Sequence, residues 1–310
     1  MTIPELEKVE VVVNRPDSQK ETPVEAKSWF QRSRVLRRLL ADKIAMTAVG
    51  VITLLIAVAV CADWLAPQDP NKASIADRLK PPSSAHWLGT DELGRDVLSR
   101  LIVATRLDLL ASFEAVGIAL AIGVPLGLLA GYFGGVGDAV TSRVIDALMT
   151  LPPLILAVVI IGILGPGLTT AMLAIGILII PSIYRVVRAS TQSTRSELYI
   201  ESARAAGCGH GRIIFRHVLP AVSAPLLVQA SFAASAAIVA EASLSYLGLG
   251  ARAPQATWGL MLKEAASSLA TSSYLLFPPA IMISVTILAL SLLGDGLRDA
   301  MGRQNKEGGK

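Results

Sequence analysis

Three histidines, two cysteines and a few acids set among apolar residues are the side chains in this sequence that could do chemistry. His86, His210 and His217 fall in separate segments, and neither Cys61 nor Cys208 joins them at a ligand spacing. A structural or catalytic metal needs three or four convergent ligands, so no metal site is expected. Cys61 ends one apolar block and Cys208 lies in a polar stretch between two others, so the two are expected on opposite sides and no disulfide between them is expected. Serine is abundant, but no Gly-x-Ser-x-Gly elbow is present. No Gly-Lys-Ser/Thr triplet follows a glycine-rich turn, so nothing resembles a phosphate cradle. The expectation is therefore no catalytic residue and no cofactor bound by this chain. The acids are sharper candidates. Asp146, Glu241 and Asp295 lie within or at the ends of apolar blocks, where an ionised group is costly and usually faces the bundle interior or water. They could form a proton or cation relay, as in a self-sufficient secondary transporter. Alternatively each could bond a helix end or a partner subunit. Their scatter over three segments, near expected helix ends, favours the second role, structural or gating.

The elements that would position these groups are membrane helices. The chain has 310 residues, 53% hydrophobic and only 17% charged, with a mean hydropathy of +0.57. Soluble domains run at about 45–50% apolar and about 25% charged, so the fold class is all-α integral membrane. The net charge of +4 is accounted for by cationic loops facing the cytoplasm. Aromatics are 5%, without basic–aromatic interleaving, so nucleic acid is not a partner.

In chain order, residues 1–28 read as a disordered cytoplasmic tail. Residues 29–43, basic and carrying Trp29 and Phe30, read as a segment lying on the bilayer surface. Residues 44–301 form the membrane domain, and 302–310 a polar tail. Six crossings are expected: Ile44–Ala62, Thr105–Phe133, Val140–Leu164, Leu168–Val187, Ala221–Leu247 and Tyr274–Leu293. Each approaches the roughly 20 apolar residues a span requires. No cleavable signal peptide is expected, because the first block is long enough to remain as an anchor. Gly123, Gly127 and Gly131 recur every fourth residue and lay a smooth stripe for another helix. Trp258, in the long loop Arg252–Ser273, is expected at the membrane interface. Both termini are placed in the cytoplasm by the basic cluster before Ile44 and by residues 185–216, where six arginines face two acids.

Between the fourth and fifth blocks runs Ser196–Pro220, SELYIESARAAGCGHGRIIFRHVLP. It is too long and too patterned for a turn. Ser196 is expected to cap a short helix, with Leu198, Ser202, Ala205 and Ala206 on one face. Gly207-Cys208-Gly209 should end it, since glycine takes a left-handed conformation freely. This stretch resembles the cytoplasmic coupling loop of bacterial ABC importer permeases. Glu201-Ser202-Ala203, Gly207, Leu219 and Pro220 stand in register with that family's Glu-Ala-Ala, Gly and Leu-Pro positions. Ser202 and His217 depart from it, and Arg216-His217-Val218-Leu219-Pro220 is similar to the peptide-permease branch.

A second resemblance lies in the loop before the second span. Trp87-Leu88-Gly89-Thr90-Asp91, then Gly94-Arg95-Asp96-Val97, Ser99 and Arg100, is similar to the C-type subunit of dipeptide/oligopeptide importers in the peptide/nickel family. Gly89, Thr90, Asp91, Gly94, Arg95 and Asp96 form an entrance-side element without catalytic role, followed by a helix that turns Val97, Leu98, Leu101 and Ile102 inward. The resemblance implies the ABC importer permease fold with cytoplasmic coupling helices over 190–220, in a bacterial inner membrane. It implies a homologous permease as the other half of the pathway, two ATP-binding subunits that carry ATP and Mg, an extracytoplasmic solute-binding protein, and short peptides as substrate. Nickel chelates or glutathione are alternative cargoes. Docking on the ATPase falls to Glu201, Ala203, Arg204, Gly207, Leu219 and Pro220, with Glu201 and Arg204 pairing partner charges. The competing class, an ATP-independent secondary transporter, would call for inverted repeats with broken helices, and no internal repeat is visible.

Overall fold

The computed structural model describes residues 39–302. The tails expected over 1–28 and after 302, and the surface segment 29–43 apart from its last residues, lie outside the described part. The main helices are α1 (Lys43–Val60), α2 (Val97–Phe133), α3 (Gly135–Thr150), α4 (Pro153–Leu164), α5 (Leu168–Arg195), α6 (Leu198–Ala205), α7 (His210–Tyr246), α8 (Trp258–Ser267) and α9 (Phe277–Gly302). Five are long and apolar enough to cross a membrane, and the bent pair α3–α4 makes a sixth candidate span. Large apolar side chains such as Leu54, Phe113, Ile163 and Leu288 remain uncovered. Helices that are apolar on their outer faces suit lipid or a membrane partner rather than water.

The centre is the pair α2–α5. Gly123 of α2 lies against Ile180 and Ile183, Gly127 against Tyr184 and Val187, and Gly131 against Arg188 and Thr191. The register advances in step, so the two helices run in the same direction. The expected glycine stripe is thus the seam, and Gly176 of α5 faces Ile118 and the Ala115 carbonyl reciprocally. Two parallel neighbours require a return connection, which α3 and α4 supply. α7 packs on α2 and α5, α9 on α7, and α1 on α9 and α2. A main apolar core fills the α2–α5–α7 contact. A second gathers Val97, Leu101, Ile238, Trp258 and Leu275 at one end.

Several expected boundaries are corrected. The amphipathic helix expected before Thr105 and the second span are one helix from Val97, because Asp96 caps it, accepting the Ser99 N–H at 2.8 Å. The expected third helix Val140–Leu164 is two helices at 94°. Leu151 and Pro152 are both extended there (ψ 138° and 129°), as residues before proline prefer, and Pro153 starts α4. The fourth span continues to Arg195, with Pro181 accommodated inside it. The fifth begins before Ala221, because one π turn at Ile214–Val218 joins His210–Ile213 to the rest. That turn lies where Pro220 lacks an N–H to donate. The sixth span runs to Gly302, past Gly294 and Gly296, which pack on Phe232 and Ala45. Ser196 does not cap the start of α6 but closes α5 as its C-cap. Glu197 stands at the N-cap of α6, and the Ser196 hydroxyl donates back to Ser193 O. Trp258 is wholly buried in the second core, not at an interface.

Candidate functional site

The elbow between α5 and α7 is a short helix closed by a glycine. Gly207 takes φ +78°, its N–H donates to Arg204 O at 2.9 Å, and the Cys208 N–H donates to Ala203 O at 3.0 Å. This is the two-bond glycine stop that satisfies the last carbonyls of a helix. Eight residues are too few to hold a helix alone. Ile200, fully buried beside Ile213 and Val218, holds this one. The opposite face is bare: Leu198 is 78% exposed, and Glu201, Ser202, Ala205, Ala206 and Gly207 are exposed with it. The small-residue face expected from sequence therefore points away from the chain. Ala203 and Arg204 turn partly inward, while Leu219 packs on the main core and Pro220 is exposed.

Arg204 does not project outward toward a partner charge as expected. Its guanidinium carbon lies 5.2 Å from the centroid of the Tyr132 ring, a cation–π distance. Tyr132, 2% exposed at the end of α2, places its hydroxyl 3.0 Å from His210 Nδ1. The end of α2 is thus held by both arms of the elbow, α6 through Arg204 and α7 through His210. An open cleft of about 340 Å³ beside it is lined by Gly131, Gly134, Gln192, Arg195, Ser196, Glu201 and Arg204. Tyr132 is not marked in the sequence, because a tyrosine ending an apolar run gives no sign of a partner 78 residues on.

α3 is tied to α5 beside this elbow. Arg188 donates to Asp138 at 2.5 and 2.7 Å, and Arg185 to Asp146 at 2.7 Å. Asp146, expected as a membrane-embedded acid, pairs with Arg185 on a face that this chain leaves uncovered, both side chains being more than half exposed. Asp295 is exposed. Glu241 alone of the three is buried, at 2%.

The motif Gly89–Asp96 builds the opposite end. Thr90 bridges Asp96, and Asp91 Oδ1 accepts the N–H groups of Leu93 and Arg95, both at 2.9 Å. Gly89 and Gly94 take φ +77° and +72°, and a Cβ on Gly94 would fall 1.8 Å from Ser74 O. Arg95 Nε donates to Asp91 Oδ2 at 2.6 Å, and Arg95 and Arg100 both reach Glu264 Oε2 of α8, at 3.0 and 3.2 Å. Arg100 is 1% exposed. Nearby, the hydroxyls of Ser268 and then Ser267 donate to Glu92 and hold its carboxyl below the usual glutamate range. The cluster is a buried ionic joint that fastens the 68–100 loop to α8.

Two stretches of the chain match known families. Residues 123–306 match the family described as binding-protein-dependent transport system inner membrane component, and residues 31–82 match the N-terminal membrane domain of oligopeptide transport permease C. This chain belongs to that inner membrane component family. It is 42% identical over 266 residues to the glutathione transport system permease protein GsiD of Pectobacterium atrosepticum, covering 86% of this chain and 88% of that one. It is 39% identical over 273 residues to the dipeptide transport system permease protein DppC of Alkalihalophilus pseudofirmus, covering 88% and 89%. Among solved structures, an inward-facing form of the MetNI methionine ABC transporter aligns with a TM-score of 0.55 at 18% identity, over 65% of this chain and 96% of that one. That likeness shows the fold. The chain is therefore a multi-pass membrane permease of the ABC importer family, and the relatives it matches are named for glutathione and dipeptide transport.

Proposed function

We propose that this permease forms half of a pathway for short peptides, delivered by an extracytoplasmic solute-binding protein and driven by two separate ATP-binding subunits. A homologous permease supplies the other half, and ATP and Mg belong to the ATPases. The observation that carries the reading is the bare outer face of α6 on an elbow whose inner face is locked in the core. Such a face suits a docking partner, since Leu198 would otherwise stand in water. Glu201, on that face, is the side chain placed to meet a partner charge, while Arg204 holds the elbow to Tyr132. The arginine excess of the elbow supports a cytoplasmic side for it and for both termini, with the Asp91–Arg100–Glu264 joint on the outer side.

The geometry makes the elbow a handle. Displacing α6 displaces α5 and α7 through the chain, and α2 through Arg204, His210 and Tyr132. Because α2 and α5 are welded along a glycine seam, they move together. The cargo reading follows the relatives: a dipeptide and glutathione are both short peptides, so the class is shared and the length preference is left to competition assays. Gly207→Arg is the test. Nothing lies within 4 Å of a Cβ at Gly207, so the bundle should fold, while the bulk and the φ strain block docking. The expected result is ATP hydrolysis uncoupled from uptake in the assembled transporter. Full uptake by the variant would remove the docking role.

A further inference from the structure

A second buried acid faces Glu241. Asp108 of α2 is 1% exposed and Glu241 of α7 is 2% exposed, and the two carboxyl groups are near neighbours where α7 packs on α2. Asp108 Oδ2 also accepts the N–H of Trp258, the first residue of α8, at 2.9 Å. Glu241 Oε1 accepts the Ser245 hydroxyl at 2.7 Å, and Ser245 Oγ accepts the Ala251 N–H at 3.1 Å. Asp108 Oδ1 and Glu241 Oε2 are fully buried and receive no other donor. Among the described residues no cation compensates the pair. On α2, Arg100 is taken up by Glu264 and Asp91, and Arg106 by Asp63 of the first span's end. On α8, Lys263 is exposed and Glu264 is engaged by Arg95 and Arg100. The ionisable groups of α9, Asp295, Arg298 and Asp299, lie toward its C-terminal end, beyond Gly294. The pair is closed off within this single chain, so a partner subunit has no surface by which to supply a charge.

Two ionised carboxylates offer only acceptors, and as near neighbours in a dry site they cannot both keep their charge. We propose that Asp108 and Glu241 hold one proton between them, as a buried proton-binding site that fastens α2, α7 and α8 to one another. The proton makes the O–H···O bond that joins α2 to α7, and the remaining charge is met by the Trp258 N–H and the Ser245 hydroxyl. Separating these helices at this end breaks that bond and exposes the carboxyls to water, which takes the proton. The inference stands on the geometry of this chain and not on cargo or ATP coupling.

The test is infrared spectroscopy of the full transporter in lipid at neutral pH, as a difference between the wild-type assembly and one carrying Asp108→Asn with Glu241→Gln. The expected result is a protonated-carboxylic-acid carbonyl band in the wild type, shifted in deuterium oxide and lost from the double variant. Thermal melting of the single variants gives a second readout. Asp108→Asn or Glu241→Gln supplies an amide N–H in place of the shared proton, so each should melt close to the wild type, and Glu241→Ala well below it. Absence of the band overturns the proposal. So does a large rise in melting temperature for a single amide variant, which would reveal two repelling charges. A wild-type melting temperature that depends on sodium or another added cation, together with no band, would put a metal ion where the proton is proposed.

Discussion

Gly127→Ala and Gly117→Ala place the same methyl group on the same helix in opposite surroundings. A Cβ at Gly127 would lie 2.8 Å from Val187 Cβ, 2.9 Å from Val187 Cγ1 and 2.9 Å from Tyr184 O. Val187 is fully buried, and Tyr184 O is backbone of α5, so neither gives way unless the seam opens. At Gly117 nothing lies within 4 Å of the new atom. Both variants gain the same helix propensity, about 1 kcal/mol over glycine. Their difference therefore isolates the overpacking, about 1–3 kcal/mol. The assay is the melting midpoint of the purified assembly in detergent, followed by the loss of the monodisperse peak on size exclusion. Gly117→Ala should melt at or above the wild type, and Gly127→Ala several degrees below Gly117→Ala. Equal midpoints would refute the parallel α2–α5 seam, and with it the welded pair that the coupling mechanism requires.

Two other outcomes follow from the ends of the bundle. Tyr132→Phe keeps the ring under Arg204 but loses the bond to His210, a net of about 0.5–1.5 kcal/mol; assembly should persist while uptake per ATP hydrolysed falls, measured in proteoliposomes with both rates in parallel. Glu264→Ala leaves the buried Arg100 guanidinium short of its main partner. A broken buried pair costs about 3–5 kcal/mol, and because Glu264 is 24% exposed, the loss in thermal stability should fall at the lower end of that range.

Hydropathy made the spans legible, and glycine spacing made the α2–α5 seam legible, because both are properties of one segment. The elbow was readable for the same reason: Gly207 and the small face of α6 are local signals. What stayed hidden was direction and partnership. The run Val140–Leu164 is apolar throughout, so its composition does not show the turn that Leu151-Pro152-Pro153 forces. Asp108 sits inside the α2 sequence, and its meaning depends on Glu241, which only the packing of α7 on α2 brings near. Arg204 looked like a free cation on a short helix, yet Tyr132 lies beneath it. Trp258 looked like an interface residue because it stands in a long outer loop, but Thr257, accepting the Leu260 N–H at 3.3 Å, starts a helix that turns the indole inward.

The claim that the elbow is gripped by a separate motor is tested most directly by a cysteine at Ser202, in a chain with Cys61 and Cys208 replaced. Ser202 lies on the bare face of α6, and its hydroxyl bonds only Leu198 O of its own helix, at 2.9 Å. In membranes containing the assembled transporter, a short bifunctional thiol reagent should join Ser202→Cys to the ATP-binding subunit, whose own cysteine is introduced along its permease-facing groove. A cross-link that forms and changes with nucleotide is the predicted result. Labelling of Ser202→Cys from outside intact cells by an impermeant thiol reagent, with no cross-link to the ATPase, would contradict it.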